Sequence, residues 1–215
     1  MIISPDRGYI FVHIPKTGGT ALALALEARA KRDDIMMGDT PKAKNRRRRL
    51  KGVQSRGRLW KHSTLSDIDG LIAPDVLAGL FAFTLVRNPW DRAVSYYHWL
   101  QAQTFQHPAV ALAQDLDFDP FIMNPVIQRA FLISPAGSYM RRVDGQEQCN
   151  AYIRIEAFQE DAAPLVQYLG FKIDLPLTNT SDRERDYRTY YTDTTADVIA
   201  RCCAEDIARF GYSFG

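Results

Sequence analysis

Cysteine is scarce. Three cysteines in 215 residues, Cys149, Cys202 and Cys203, give an odd count without paired spacing. Adjacent Cys202 and Cys203 on a helix cannot readily close a framework disulfide or build a metal knuckle, so they are expected to be small buried apolar residues. The four histidines, His13, His62, His98 and His107, form no sequence-local metal motif, and no metal is expected to be required. No apolar run approaches the ~18 residues of a membrane span. The start of the chain lacks a charged segment followed by an apolar one, which makes a cytoplasmic location the expectation. The net charge of +2 is too small for a general polyanion-binding surface, so any basic character must be local. No internal repeat is present. What remains is an ordinary globular composition, 46% hydrophobic and 24% charged, long enough for one substantial core. A single domain over 1–215 is the expectation.

The most informative stretch is residues 9–20. Strand formers from Tyr9 to Ile14 lead directly into Pro15-Lys16-Thr17-Gly18-Gly19-Thr20, and a helical Ala/Leu segment, Ala21–Lys31, follows. Strand, tight glycine loop and helix in this order make an anion cradle. Two glycines let the backbone approach closely, and the helix start adds orphan N–H groups and a positive dipole end. Lys16 and the hydroxyls of Thr17 and Thr20 complete it. A plain glycine turn between a strand and a packed helix is the alternative.

Farther along, residues 42–61 hold ten Lys or Arg and no acid, with Arg46 to Arg49 consecutive. A basic loop or insert at about 38–61, solvated or poorly helical, is expected; its charge could attract an acidic substrate such as an anionic glycan. Few aromatics interleave the run, and nucleic acid is not expected. His62–Leu71 carries helix-start chemistry at Ser63 or Thr64. Phe81–Val86 reads as a buried parallel strand, and Asn88-Pro89 opens a helix with Trp90, Val94 and Tyr97 toward the core and Arg92 and Ser95 off that stripe. Phe118–Leu132 is helical with an interruption near Pro125, and Pro135-Ala-Gly137 is a turn. Tyr152–Ile155 is a strand, and Leu165–Leu169 a helix stopped by Gly170. A polar arginine-bearing loop spans 174–192. A last helix spans about 194–210, with Thr194-x-x-Asp197 as capping box. Strands alternating with helices predict an α/β fold with a parallel sheet.

Two strand-to-helix turns, Ile14–Thr20 and Val86–Ser95, then open at one sheet edge and can converge on one ligand. Arg87 offers a fork for a phosphate and Ser95 a hydroxyl. An ATP- or GTP-hydrolysing enzyme would normally place an Asp at such a strand end to hold Mg²⁺, and its loop would place the lysine after the second glycine. Here the strand ends in arginine, and Lys16 precedes both glycines. Both features disfavour the P-loop nucleotide kinase reading. A non-catalytic polyanion-binding module driven by 42–61 is the other alternative.

These residues resemble the sulfotransferase superfamily that uses 3′-phosphoadenosine 5′-phosphosulfate (PAPS), in its bacterial, carbohydrate sulfotransferase-like family 2 branch. His13-Ile-Pro-Lys-Thr-Gly-Gly-Thr20 is similar to the family's 5′-phosphosulfate loop, and Leu85-Val-Arg-Asn-Pro-Trp-Asp-Arg-Ala-Val-Ser-Tyr-Tyr97 to its 3′-phosphate motif. Lys61-His62-Ser63, Arg154-Ile-Glu156, Leu177-Thr-Asn-Thr-Ser181 and Asp206-Ile-Ala-Arg-Phe-Gly-Tyr-Ser-Phe214 extend the likeness over nearly the whole chain. The resemblance implies a P-loop-containing three-layer α/β sandwich, its central parallel sheet flanked by helices. It implies PAPS as cofactor, adenosine 3′,5′-bisphosphate (PAP) as product, and a hydroxyl acceptor, saccharide or glycan. Lys16, Thr17, Gly18, Gly19 and Thr20 would hold the 5′-phosphosulfate, Arg87 and Ser95 the 3′-phosphate, with Arg183 and Arg188 as further contacts. His62 stands where the family often has a histidine near the acceptor, and is the candidate general base; a lone surface histidine capping a helix is the alternative. Glu156 is expected to anchor structure through an ion pair near Arg154. Ala157-Phe158 in place of the usual Asn-Leu, and the basic 42–61 stretch, depart from the family pattern.

Overall fold

The structure is a computed structural model and describes residues 1–176 and 183–215. In chain order the strands are β1 Ile2–Ser4, β2 Tyr9–Val12, β3 Ile35–Met36, β4 Phe81–Val86 and β5 Ala151–Arg154. The helices are α1 Gly19–Ala28, α2 Pro41–Arg46, α3 Pro74–Gly79, α4 Pro89–Gln101, α5 Pro108–Asp115, α6 Phe118–Met123, α7 Pro125–Leu132, α8 Ala136–Tyr139, α9 Phe158–Asp161, α10 Ala163–Leu169, α11 Asp193–Cys202 and α12 Ala204–Phe210. They form two compact units, one from residues 1–86 with 136–176, the other from 87–135 with 183–215.

The first unit holds the sheet, in the order β3-β1-β2-β4-β5. The β2–β4 and β4–β5 pairs are parallel, as expected. The outer part departs from expectation: β1 runs antiparallel to both β2 and β3, so the sheet is mixed. A 3-10 turn over Pro5–Arg7 ends at Gly8, whose φ of 68° reverses the chain from β1 into β2. The sequence signal for β1 is weak because it has only three residues.

Strand parity sorts the sheet's two faces. Tyr9, Phe11, Phe83, Leu85 and Ile153 pack with Leu22 and Leu26 of α1 and with Phe158 and Leu165 of the segment after β5. Ile10, Val12 and Ala82 point the other way, among Leu65, Ile68, Leu77 and Met140. Layers on both faces explain why these strands are buried throughout, with little alternation in polarity. His62–Leu71 forms no helix, against expectation. Thr64 and Asp67 satisfy one another instead: Thr64 N–H donates to Asp67 Oδ2 (2.8 Å) and Asp67 N–H to Thr64 Oγ1 (3.1 Å). This is helix-start chemistry spent on a closed turn. Pro135-Ala-Gly137, expected as a turn, instead leads into a short helix, α8, over Ala136–Tyr139. The basic stretch is partly ordered as α2 and a 3-10 turn over Arg47–Leu50.

The second unit is helical. Trp90, Val94 and Tyr97 of α4 pack with Phe121, Ile127 and Ile199, and Trp90 Nε1–H donates to Ala196 O at 2.9 Å. The break at Pro125 lies between α6 and α7 as expected. The expected last helix is two, α11 and α12, parted at Cys203. Its cap also lies two residues earlier than expected, at Thr192, where the Thr195 hydroxyl closes the capping box that Thr194 and Asp197 were expected to form. Burial pushes the Cys203 thiol up to about 12, in keeping with a buried apolar role. Among the described residues no helix is long and apolar enough to cross a membrane.

Candidate functional site

β2 delivers the glycine turn at the carboxyl end of a strand that pairs in parallel with β4. Lys16 has φ 66°, the one non-glycine residue with positive φ among the described residues, and Gly18 follows with φ 83° as N-cap of α1. Holding lysine in the left-handed region costs energy, and such strain persists where surrounding structure imposes it. Thr17 imposes part of it. Its buried hydroxyl donates to Ile14 O at 2.9 Å and closes the turn. That proton serves the loop, so what Thr17 offers an anion is its backbone N–H. Thr20, in the first turn of α1, makes no side-chain hydrogen bond among the described residues. Neither glycine can gain a Cβ without collision: one on Gly18 meets the Ile155 side chain, and one on Gly19 meets the His13 ring. Both positions are crowded by neighbouring side chains.

His13 and His62 are a pair the sequence did not show. His62 Nδ1 lies 2.7 Å from His13 O. A carbonyl only accepts, so Nδ1 carries the hydrogen and Nε2 is the basic nitrogen of a neutral His62 ring. The two rings meet edge to face at 4.7 Å, and Trp60 meets His62 likewise at 5.0 Å. His13 is buried, which holds its pKa well below 6.5, with nearby cations including Lys61 and Lys16 adding to the effect. A neutral His13 lets His62 approach without like-charge repulsion. Parity was the available signal for His13: it follows Phe11 on the face covered by α1, and its ring stacks on Phe11 at 5.8 Å.

In the helical unit, Asn88 caps α4 by accepting from Trp90 and Asp91 N–H, and its Nδ2 donates to Ser213 O at 3.0 Å. The cap holds Asp91 where two arginines meet. Arg87 donates to Asp91 Oδ2 from Nε (2.8 Å) and Nη2 (2.7 Å), and Arg183 Nη2 donates to Oδ1 at 2.6 Å. Arg183 is nine-tenths buried, and its Nη1 has no hydrogen-bond partner among the described residues. Ser95 and His98 follow Asp91 on one face of α4 at i+4 and i+7. Ser95 and Arg92, expected off the core stripe, are both buried. Burial, with Arg183 nearby, lowers the His98 pKa.

The structure thus joins Arg87 to Arg183 through Asp91. It does not bring Arg188 to that group. Arg188 is exposed and forks onto Asp186 through Nε and Nη2, both at 2.8 Å. Arg154 takes Asp161 as its carboxylate, from Nε (2.7 Å) and Nη2 (2.9 Å), while Glu156 lies exposed in a 3-10 turn. The Leu177–Ser181 likeness lies outside the described residues.

A search of characterised protein sequences found no match. Among solved structures, mouse sulfotransferase SULT7A1 complexed with PAP shares the fold, with a TM-score of 0.52 at 17% identity over 95% of this chain and 85% of that one. The model of the sulfotransferase family matches residues 1–213. That match takes in both strand-to-helix turns and the His62 segment between them, and the chain belongs to the sulfotransferase family.

Proposed function

We propose that the protein transfers a sulfuryl group from PAPS to a hydroxyl of a saccharide by in-line displacement. The observation that carries the reading is the Lys16–Thr20 turn: a strained lysine and two glycines closed to any Cβ, at a helix N-terminus, in a chain of this family. The family implies a cofactor with two anionic ends, and each of the two units by itself offers donors suited to one of them. Lys16, the backbone N–H groups of 17–20 and the Thr20 hydroxyl suit a phosphosulfate. Arg87, Ser95 and Arg183, with its buried donor, suit a second phosphate. Arg188 is the weaker candidate, since Asp186 already takes its fork.

PAPS supplies the sulfuryl group. With it bound, His62 Nε2 would take the proton of the attacking hydroxyl, and Lys16 with the loop N–H groups would stabilise the negative charge that develops on the leaving 5′-phosphate. The hydrogen bond to His13 O keeps His62 in the tautomer that can accept that proton. A kinase reading has less support, because Asp91, the first carboxylate after β4, is gripped by two guanidinium groups and is not disposed to ligate Mg²⁺.

Calorimetry tests the reading. PAP should bind without metal, and ATP with Mg²⁺ should not; the reverse would overturn it. With a working acceptor, His62→Ala should depress turnover more than affinity for PAPS, and a change in affinity alone would count against the base.

A further inference from the structure

The basic stretch lines a cavity of about 800 Å³ within the sheet-bearing unit. Its wall carries six cationic side chains, Lys44, Arg47, Arg48, Lys51, Arg58 and Lys61, against one carboxylate, Asp39. Asp39 is bound by Lys61 at 2.8 Å and lies 3.8 Å from Arg47. Arg48 and Lys51 form no salt bridge among the described residues, and Lys44 reaches Asp39 only as one of several cations that lower its pKa. The remainder of the lining is apolar, including Met36, Met37, Leu50 and Leu59, and Trp60 stands 41% exposed among the charges. Arg58 lies over the Trp60 ring at 5.3 Å. Like charges are crowded here around an apolar floor and an open indole, at a volume ordinary for ligand sites. Such crowding is unfavourable unless an anion relieves it.

The location is informative. The cavity's last lining residue, Lys61, precedes His62, and Trp60 touches the His62 ring. We propose that this cavity is the acceptor site and that it takes an acidic saccharide, its carboxylate or sulfate groups on the Arg47, Arg48 and Lys44 side and a sugar ring against Trp60. A planar indole suits the apolar face of a sugar, and guanidinium forks suit carboxylate and sulfate alike. The proposal rests on the sulfuryl-transfer reading and adds the acceptor's charge and its anchoring residues.

The test is calorimetric titration of the full chain, saturated with PAP, at physiological ionic strength. The probes are a hyaluronan tetrasaccharide (carboxylates only), a heparin-derived tetrasaccharide (carboxylates and sulfates) and neutral cellotetraose. At least one acidic probe should bind about tenfold or more tighter than cellotetraose. The doubly substituted Arg47→Glu/Arg48→Glu chain should lose that margin with PAP affinity unchanged, since both side chains are exposed. Equal binding of the neutral probe, absence of binding by both acidic probes, or no effect of the double substitution overturns the acceptor-site proposal and leaves the transfer reading standing. So does equally effective competition by a single-stranded oligonucleotide, which would indicate an unselective polyanion surface. Failure of PAP itself to bind overturns the transfer reading instead.

Discussion

Gly19→Ala sets two effects against one another. Gly19 is the first residue of α1. By helix propensity alone, alanine there should stabilise by up to about 1 kcal/mol. The structure reverses the sign. An added Cβ would fall 2.9 Å from His13 Cγ and closer still to Cδ2 and Nε2. The His13 ring is poorly placed to yield: it is buried, stacked on Phe11 and edge-on to His62, and its own carbonyl holds His62 Nδ1. Overpacking costs about 1–3 kcal/mol, and so close an approach to Cδ2 of a ring held this way belongs to the upper half of that range. After the propensity gain the net expectation is a loss of about 1–2 kcal/mol, or roughly 2–8 °C in Tm for a chain of this size. Urea unfolding should show a lower midpoint with an unchanged slope. The double-mutant cycle with His13→Ala isolates the cause. With the ring removed, Gly19→Ala should become neutral or stabilising, giving a coupling of at least about 1 kcal/mol. A Gly19→Ala chain as stable as the parent, or additive with His13→Ala, would refute the steric argument.

Three further outcomes follow from features already described. Lys16→Ala should lower sulfuryl transfer by about 10²–10³-fold, and Lys16→Gly should do the same while being about 1 kcal/mol more stable than the alanine variant, because glycine accepts φ 66° without strain; near-normal turnover in either would remove Lys16 from the chemistry. Asp91→Asn should destabilise by about 3 kcal/mol in chemical denaturation, since two guanidinium groups lose their shared carboxylate, and a change below about 0.5 kcal/mol would show that the cluster is not stabilising. Acidification should weaken the fold: His13 and His98 have native pKa values below the unfolded value near 6.5, so the unfolded chain binds the proton first. Their contribution is intact above about pH 6.5 and lost as pH falls below it, at up to about 1.4 kcal/mol per pH unit for buried His13 and less for the partly exposed His98, and a flat stability profile between pH 7.5 and 5.5 would contradict the burial of His13 as a neutral ring.

The parts legible in the sequence are those whose signal is local. The glycine turn, the Phe81–Val86 strand and the Asn88-Pro89 helix start each declare themselves within a dozen residues, and each is where it was expected. The misses come from relations across the chain. Thr64 and Asp67 have helix-cap chemistry, but no helix followed because their turn is closed on itself. β1 is too short for a pattern and exists by pairing with β2 and β3. In the candidate site, the residue types carried over from the motifs, while their companions did not. His13 and Asp91 both lie in the quoted motifs, but the contacts of His13 with His62, and of Asp91 with Arg183 92 positions on, join residues that no single short motif contains.

The edge contact between Trp60 and His62 has a practical meaning of its own. A protonated imidazole against an indole quenches its emission, whereas a neutral one does so far less. Trp60 therefore acts as an optical titrant for the ring beside it, and emission followed against pH, with Trp60→Phe as the blank, reads the protonation of His62 directly in the resting protein, before any acceptor has been found.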